Sequence, residues 1–498
     1  MRHIYILFKV LLIIVFFSCA NNNTKNEKTE TPNIIYILAD DMGYGDIMAL
    51  NKESKIETPH LDRLVAEGMS FFDAHSNSAV CTPTRYGILT GRYCFRSRLK
   101  SSVLYGYSPA LIEGGRTTVA SFLKEQGYQT ACIGKWHLGL GWAKKDPEQP
   151  LFEKLDNWEI GLVTNCDYTK PVHAGPNSVG FDYSYILPGS LDMAPYVYVE
   201  NHKVTAPVIQ KLNAENSERG VFYRAGEMAE GFNITKTLDH FTDKAVEYIN
   251  KASGQKKPFF LYFPLTAPHT PWLPSENFRG KSGAGIYGDF VMHVDDVVGR
   301  IVEATKNTGT SENTIIVFTS DNGSDWKEED IEKWQHRANF IYSGRKSDVW
   351  EGGHRVPFIV KWPGKVQSDT QSGQQICTTD WLATCADMLN KNLEGNEGED
   401  SYSFLPSLLN ETYDESYRGA VIHHSLPGEF AIRKSDWKYI DCRGSGGWTT
   451  PGRESDPPGQ LYNIKNDPKE QDNLYLKMPD KVAELKELLK QYQTKASI

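Results

Sequence analysis

Short runs that are apolar at nearly every position alternate, over the first two thirds of the chain, with longer stretches of helical periodicity. The runs at 33–39, 128–133, 258–263 and 314–319 have the pattern of strands buried on both faces of a sheet. Between them, 59–68, 117–127, 238–250 and 287–301 predict helices. Apolar residues at 238, 241, 245, 248 and 249 share one helical face, as do those at 287, 290, 291, 294, 297, 298 and 301. Gly127 is a natural stop for the second of these helices. Strands alternating with helices predict an open α/β sheet with helices on both faces.

Polar residues follow the carboxyl ends of four strands. Asp40 and Asp41 follow the first, Lys135 and His137 the second, His269 the third, Asp321 and Asn322 the fourth. Ligands of open α/β sheets bind at that edge, so these distant clusters are expected to converge. After about residue 400 the pattern changes to closely spaced short strands at 420–423, 430–433 and 437–441. Val482, Leu485, Leu488, Leu489 and Tyr492 then mark an amphipathic helix. The predicted division is an α/β domain over 32–400 and an α+β subdomain over 401–498. The Gly/Pro-rich loop 444–459 is too long for a plain connection and is expected to border the pocket.

Ahead of these lies a different grammar. Arg2 and Lys9 flank an apolar run that ends in Ser18-Cys19-Ala20, which reads as a signal peptide over 1–18. The small residue before Cys19 makes the site look like that of a bacterial lipoprotein, with Cys19 lipidated. Residues 19–31 are then a polar, flexible tether. The expected location is the periplasm or outer membrane of a Gram-negative bacterium, with the lipid anchor as the membrane contact.

Composition narrows the partners. A net charge of −9 argues against nucleic acid and against a broad basic groove, so an anionic substrate would be met in a confined pocket. Eight cysteines at irregular spacing, with no CxxC pair, give no disulfide framework and no zinc site. Mostly buried thiols are expected.

The most chemically pointed stretch is Cys81-Thr82-Pro83-Thr84-Arg85. Pro83 suits the first turn of a helix, which puts Cys81 at or just before a helix N-terminus, where free amides favour an anion or an activated nucleophile. Arg85, four residues on, shares its helix face. Asp40, Asp41, Asp321 and Asn322 offer only oxygen donors, which suit Ca²⁺ or Mg²⁺ rather than zinc, and a carboxylate-rich set suits Ca²⁺ better.

C-x-P-x-R followed by Leu-Thr-Gly-Arg, with Gly-Lys-Trp-His-Leu-Gly at 134–139, resembles the signature of type I sulfatases. The resemblance runs through widely separated motifs over nearly the whole mature chain. Thr84 stands where Ser is commoner in that family. The resemblance implies an alkaline-phosphatase-like α/β/α sandwich with a smaller C-terminal α+β domain. It further implies that a maturation enzyme converts Cys81 to formylglycine, and that Asp40, Asp41, Asp321, Asn322 and the residue at 81 hold one Ca²⁺. By the same resemblance Arg85 and Lys135 stabilise the formylglycine hydrate, His137 assists its breakdown, and Lys346 and His269 bind sulfate. His269 is the expected proton donor to the leaving oxygen.

The implied activity is hydrolysis of sulfate esters, by exo action on a galactose or N-acetylgalactosamine unit of a sulfated glycan. Asp192, Arg224, His424 and Glu429 lie in polar loop regions and are candidates for contacting the sugar. Two other readings compete. A phosphatase or phosphodiesterase of the same superfamily would need two zinc ions and a further histidine cluster, and Asn322 stands where an Asp-His pair is expected. A tethered glycan-binding protein without catalysis would use aromatics such as Trp272, Trp326 and Trp448.

Overall fold

Four β-rich runs, apolar along their whole length, can be satisfied only inside a sheet covered on both faces, and that is where they lie. The computed structural model describes residues 31–152, 164–395, 397–414 and 417–494. Cys19 and the signal peptide lie outside these residues. No helix among the described residues is long and apolar enough to cross a membrane.

Ten strands build the central sheet: β1 (Asn33–Asp40), β2 (Met69–Phe71), β3 (Gln129–Lys135), β4 (Tyr183–Leu187), β5 (Val199–Glu200), β6 (Lys203–Val204), β7 (Phe259–Pro268), β8 (Thr314–Ser320), β9 (Phe358–Lys361) and β10 (Thr370–Ser372). Their spatial order is β10-β2-β9-β8-β1-β7-β3-β4-β5-β6. The run β8-β1-β7-β3-β4 is parallel throughout, and the sheet turns antiparallel on either side of it. β1, at its middle, is buried at every residue. The four strands that end in polar residues, β8, β1, β7 and β3, are therefore immediate neighbours, and their carboxyl ends form one continuous edge.

Helices α1 (Pro59–Ala66), α2 (Cys81–Thr90), α3 (Val119–Glu125), α4 (Thr237–Ser253) and α5 (Gly285–Asn307) accompany the sheet. α5 buries the predicted stripe of Tyr287, Phe290, Val291, Val294, Val297, Val298 and Ile301. α2 is buried along its whole length and stops at Gly91, whose φ of 62° is the left-handed conformation that glycine adopts without a Cβ penalty. β7 runs past the predicted end at Phe263, through Pro264 to Pro268, which lies opposite Asp40 where the register with β1 slips.

The C-terminal sheet holds the three predicted strands, Val421–His424, Phe430–Lys434 and Trp437–Ile440, and a fourth that the sequence pattern did not reveal, Gln460–Asn463. The helix Pro479–Thr494 packs Val482, Leu485 and Leu489 against it, in a core shared with Tyr93 and Phe95. Pro32–Ile498 is one compact unit. All seven cysteines among the described residues are free, and six of them are buried.

Candidate active site

The parallel strands deliver their terminal side chains to one place. Asp40, the last residue of β1, accepts from Lys135 Nζ at 2.7 and 3.0 Å, and Lys135 is the last residue of β3. Arg85 reaches down from the first turns of α2 and bridges β8 to β1. Its Nη2 lies 2.7 Å from Asp321 and 3.2 Å from Asp40, and its Nη1 donates to the Lys135 carbonyl at 3.0 Å. Asp41 accepts from Lys346 Nζ at 2.8 Å and from Asn322 Nδ2 at 2.7 Å, while His269 Nε2 stands 3.7 Å from it. Asp40, Asp41, Cys81 and His269 place their ligand atoms within 4.8 Å of one another.

Three non-glycine residues here hold left-handed φ: Asp41 (65°), His137 (55°) and Ser347 (83°), next to Lys346. Such conformations cost of order 1–3 kcal/mol each and persist where surrounding structure imposes them. The Thr82 hydroxyl donates to the His137 carbonyl and accepts from the Leu104 amide, tying α2 to the segment after β3. The Ser347 amide donates to Ala79 O, just before the helix. The helix N-terminus and the two cationic loops are thus held as a unit.

Electrostatics follow from burial. Three acidic side chains, Asp40, Asp41 and Asp321, face three basic ones, Arg85, Lys135 and Lys346, and all six are buried. Burial alone would raise Asp40, yet Lys135, His269 and Arg85 hold its carboxyl well below the usual range. Asp321 goes the other way, pushed up to about 6 by burial and by the charge on Asp40. The two share the same cations, so the directions are opposite halves of one competition. Burial pushes the Cys81 thiol up to about 12, against the pull of Lys135 and Lys346. An unmodified Cys81 is therefore a neutral thiol here, not a thiolate nucleophile.

His137 is neutral, since burial and then Lys135 and Arg85 depress its pKa strongly. Its Nε2 lies 2.7 Å from Leu104 O, which can only accept, so the proton sits on Nε2. That leaves Nδ1, buried and without a hydrogen-bond partner, as a base. His269 Nδ1 similarly faces Thr270 O, leaving Nε2 for the cavity side.

The oxygen donors suit the metal that the sequence implies. Asn322 spends Nδ2 on Asp41 and Gly323 O, and its buried Oδ1 has no partner. An orphaned carbonyl oxygen beside three carboxylates fits a hard cation of the Ca²⁺ kind. A second histidine cluster does exist, at His75, His354 and His423. The rings of His354 and His423 stack with centroids 3.7 Å apart and planes 10° from parallel. A nitrogen lone pair lies in its ring plane, so one ion shared by both would sit far outside each plane. The cluster instead forms a chain with Asp73 and Lys438.

A cavity of about 830 Å³ opens over Cys81, Asp41, His137, His269 and Lys346. Of the four sugar-contact candidates the structure brings two to its wall. Asp192 pairs with Arg224, and its second oxygen Oδ1 is buried without a partner. The other two are corrected. His424 ends a buried strand with Nδ1 against Ser425 O, while Glu429 lies exposed on the turn after it, beside a separate cavity. Trp272 and Trp326 are likewise core residues, packed on each other and on Tyr287. Trp448 alone of the three is exposed, and lines the cavity together with Phe222, Tyr223 and Asp325, which sequence reasoning had not named. Phe222 and Tyr223 arrive on a two-stranded ribbon, Glu215–Glu218 with Val221–Tyr223.

Residues 32–391 match the family model described as Sulfatase. The chain is 32% identical to the N-acetylgalactosamine-6-O-sulfatase of Bacteroides thetaiotaomicron, over 94% of each chain. It is 30% identical to the N-acetylgalactosamine-6-sulfatase of Mus musculus, over 82% of this chain and 73% of that one. A solved Bacteroides thetaiotaomicron structure, from work on the metabolism of multiple glycosaminoglycans, superposes with a TM-score of 0.81 at 31% identity, covering 94% of this chain and 100% of that one.

Proposed function

The chain belongs to the sulfatase family and is a sulfuric ester hydrolase of the alkaline phosphatase superfamily, and from that premise we propose its nucleophile, metal and substrate. The nucleophile is formylglycine made from Cys81 by a maturation enzyme. Asp40, Asp41, Asp321 and Asn322, with the residue at 81, hold one Ca²⁺. The substrate is a 6-sulfated galactose or N-acetylgalactosamine at the end of a glycan chain, N-acetylgalactosamine and the 6 position being those named for the relatives.

The observation that carries this reading is the buried thiol of Cys81 at the mouth of a cationic, oxygen-lined pocket. Burial favours the neutral thiol, and a thiolate that did attack would leave sulfur bonded to sulfur with no exit. When present, a hydrated formylglycine supplies two geminal hydroxyls, one to attack sulfur and one to release sulfate.

This chain's own residues supply the rest. Lys346, held protonated beside Asp41 despite its burial, neutralises charge on the sulfate oxygens. Neutral His137 takes a proton at Nδ1, since its other nitrogen is committed to Leu104 O. His269 keeps Nδ1–H on Thr270 O, and in its imidazolium form it carries a second proton on Nε2, which it gives to the departing sugar oxygen. Arg85 and Lys135 hold the Asp40 carboxyl in its charged form, and Arg85 fixes the position of Asp321. Asp192, through its unpartnered oxygen, and Arg224 meet the sugar hydroxyls.

The signal peptide and Cys19 support export as a lipoprotein that reaches the membrane through its lipid. The decisive experiment is mass analysis of the peptide containing residue 81 from a maturation-competent host, paired with hydrolysis of position-defined sulfated sugars and phosphate esters. An aldehyde mass, with turnover of 6-sulfated sugars only, is expected. Full sulfatase activity from homogeneous Cys81 thiol protein would refute the nucleophile, and preference for phosphate esters would refute the substrate.

A further inference from the structure

Trp448 is one of few large apolar side chains left open to solvent, at 46% exposure, and it lies in the wall of the catalytic cavity. A large aromatic in such a place loses hydration free energy unless something covers it. One side is already occupied, for the Arg345 guanidinium stands 5.4 Å from the ring centroid and is itself paired with Asp325. The ring is still 46% exposed with that cation in place, and it is one of the residues lining the cavity.

The loop that carries the ring is also fixed. Thr449 donates through its amide and its hydroxyl to Asp348, and Ser445 closes the loop through the Thr450 amide at 3.0 Å. Val349 N in turn donates to Ser445 O at 2.9 Å. Gly447 packs so closely on the Ser347 carbonyl that a Cβ would come within 2.4 Å of it. The turn 345–349 that pins Trp448 is the same turn that carries Lys346 onto Asp41. The backbone that carries the indole is therefore tied to the turn that carries Lys346. The same loop borders a second cavity of about 540 Å³, lined by Pro427, Gly447 and Arg453.

We propose that Trp448 is a stacking platform for the sugar ring adjoining the sulfated one, so that the enzyme prefers an oligosaccharide to a sulfated monosaccharide. A pyranose presents an apolar C–H face that an indole covers, and such a platform needs no charge and tolerates different neighbouring sugars. The inference rests on the proposed carbohydrate reading of the cavity.

The test uses full-length matured enzyme with galactosamine 6-sulfate substrates, as the N-acetylated monosaccharide and as a trisaccharide bearing the same unit at its terminus. Trp448→Ala should raise KM for the trisaccharide by roughly 3- to 10-fold, the range a single aromatic contact supplies, with kcat and the monosaccharide changed less than about twofold. Trp448→Phe should keep most of the preference. Calorimetric binding of the desulfated trisaccharide should weaken in the Ala variant by a similar factor. Equal losses on both substrates, or none on the trisaccharide, overturn the platform while leaving the sulfatase reading intact. Trp448-dependent binding by a wild type that turns over neither sugar keeps the platform and overturns the substrate.

Discussion

Arg85→Met removes the one side chain that touches both central carboxylates, and its cost can be worked from the contacts. The guanidinium is fully buried and bonds Asp321 at 2.7 and 3.0 Å, Asp40 at 3.2 Å and the Lys135 carbonyl at 3.0 Å. Methionine roughly fills the stem volume, so the loss is one of charge compensation rather than of packing. Removing one member of a buried ion pair costs about 3–5 kcal/mol, because the partner is left charged without solvent. Asp321, already pushed up to about 6, limits this by taking a proton. A chain the length of Pro32–Ile498 has an unfolding entropy of about 1 kcal/mol per kelvin, so the expected fall in melting temperature is only about 3–5 °C. The assay is calorimetry of chelator-treated protein at pH 7.5, with Asp321→Asn and the double variant completing a cycle. The double variant should be more stable than the sum of the singles predicts, since Asn leaves no orphaned charge. An Arg85→Met protein that melts within 1 °C of wild type, or strictly additive variants, would refute the claim that this cluster is held by charge.

Three further outcomes are expected. Asp321→Ala should lose bound calcium, read by metal analysis of the purified protein, and with it turnover; stoichiometric zinc in an active, calcium-depleted wild type would sink the hard-cation assignment. Asp295, buried in α5, accepts the His60 and Leu61 amides at the start of α1, and burial pushes its carboxyl up to about 7. Its folded pKa lies above the unfolded one, so its contribution to stability is complete below about 4 and is lost as pH rises through 7. Asp295→Asn should therefore gain stability relative to wild type between pH 5 and 8 in urea unfolding, and a pH-independent difference would contradict the burial argument. Feeding cells a lipid precursor should label the wild type and not Cys19→Ala; an unlabelled wild type with a mature N-terminus elsewhere would point to ordinary secretion.

The catalytic edge was legible because each part of it is local. A buried strand announces itself as an unbroken apolar run, and the residue that follows it is placed by the strand, so Asp40, Lys135 and Asp321 meet for the same reason that β1, β3 and β8 are parallel. The pocket wall was not legible, because its contacts are made at a distance. Asp192 meets Arg224 across a segment without periodicity. The covering of Trp272 comes from a ribbon whose tip, Arg219, lies 4.7 Å over the indole and pairs with Asp325 and Asp330. A tryptophan in a proline-rich loop reads the same whether such a cover exists or not. His424 misled for a related reason: a histidine near turn residues suggests a loop, but it closes a strand whose carbonyl accepts from Ala79 N, just ahead of Cys81. Its task is to hold the approach to the catalytic helix, two steps from the substrate it was expected to touch. The cavity wall thus rests on long-range contacts that no periodicity marks, while the buried acidic and basic side chains stand at strand ends that periodicity marks plainly. A substitution in the ribbon 215–223 should consequently change which sugar is accepted before it changes how sulfate is cleaved.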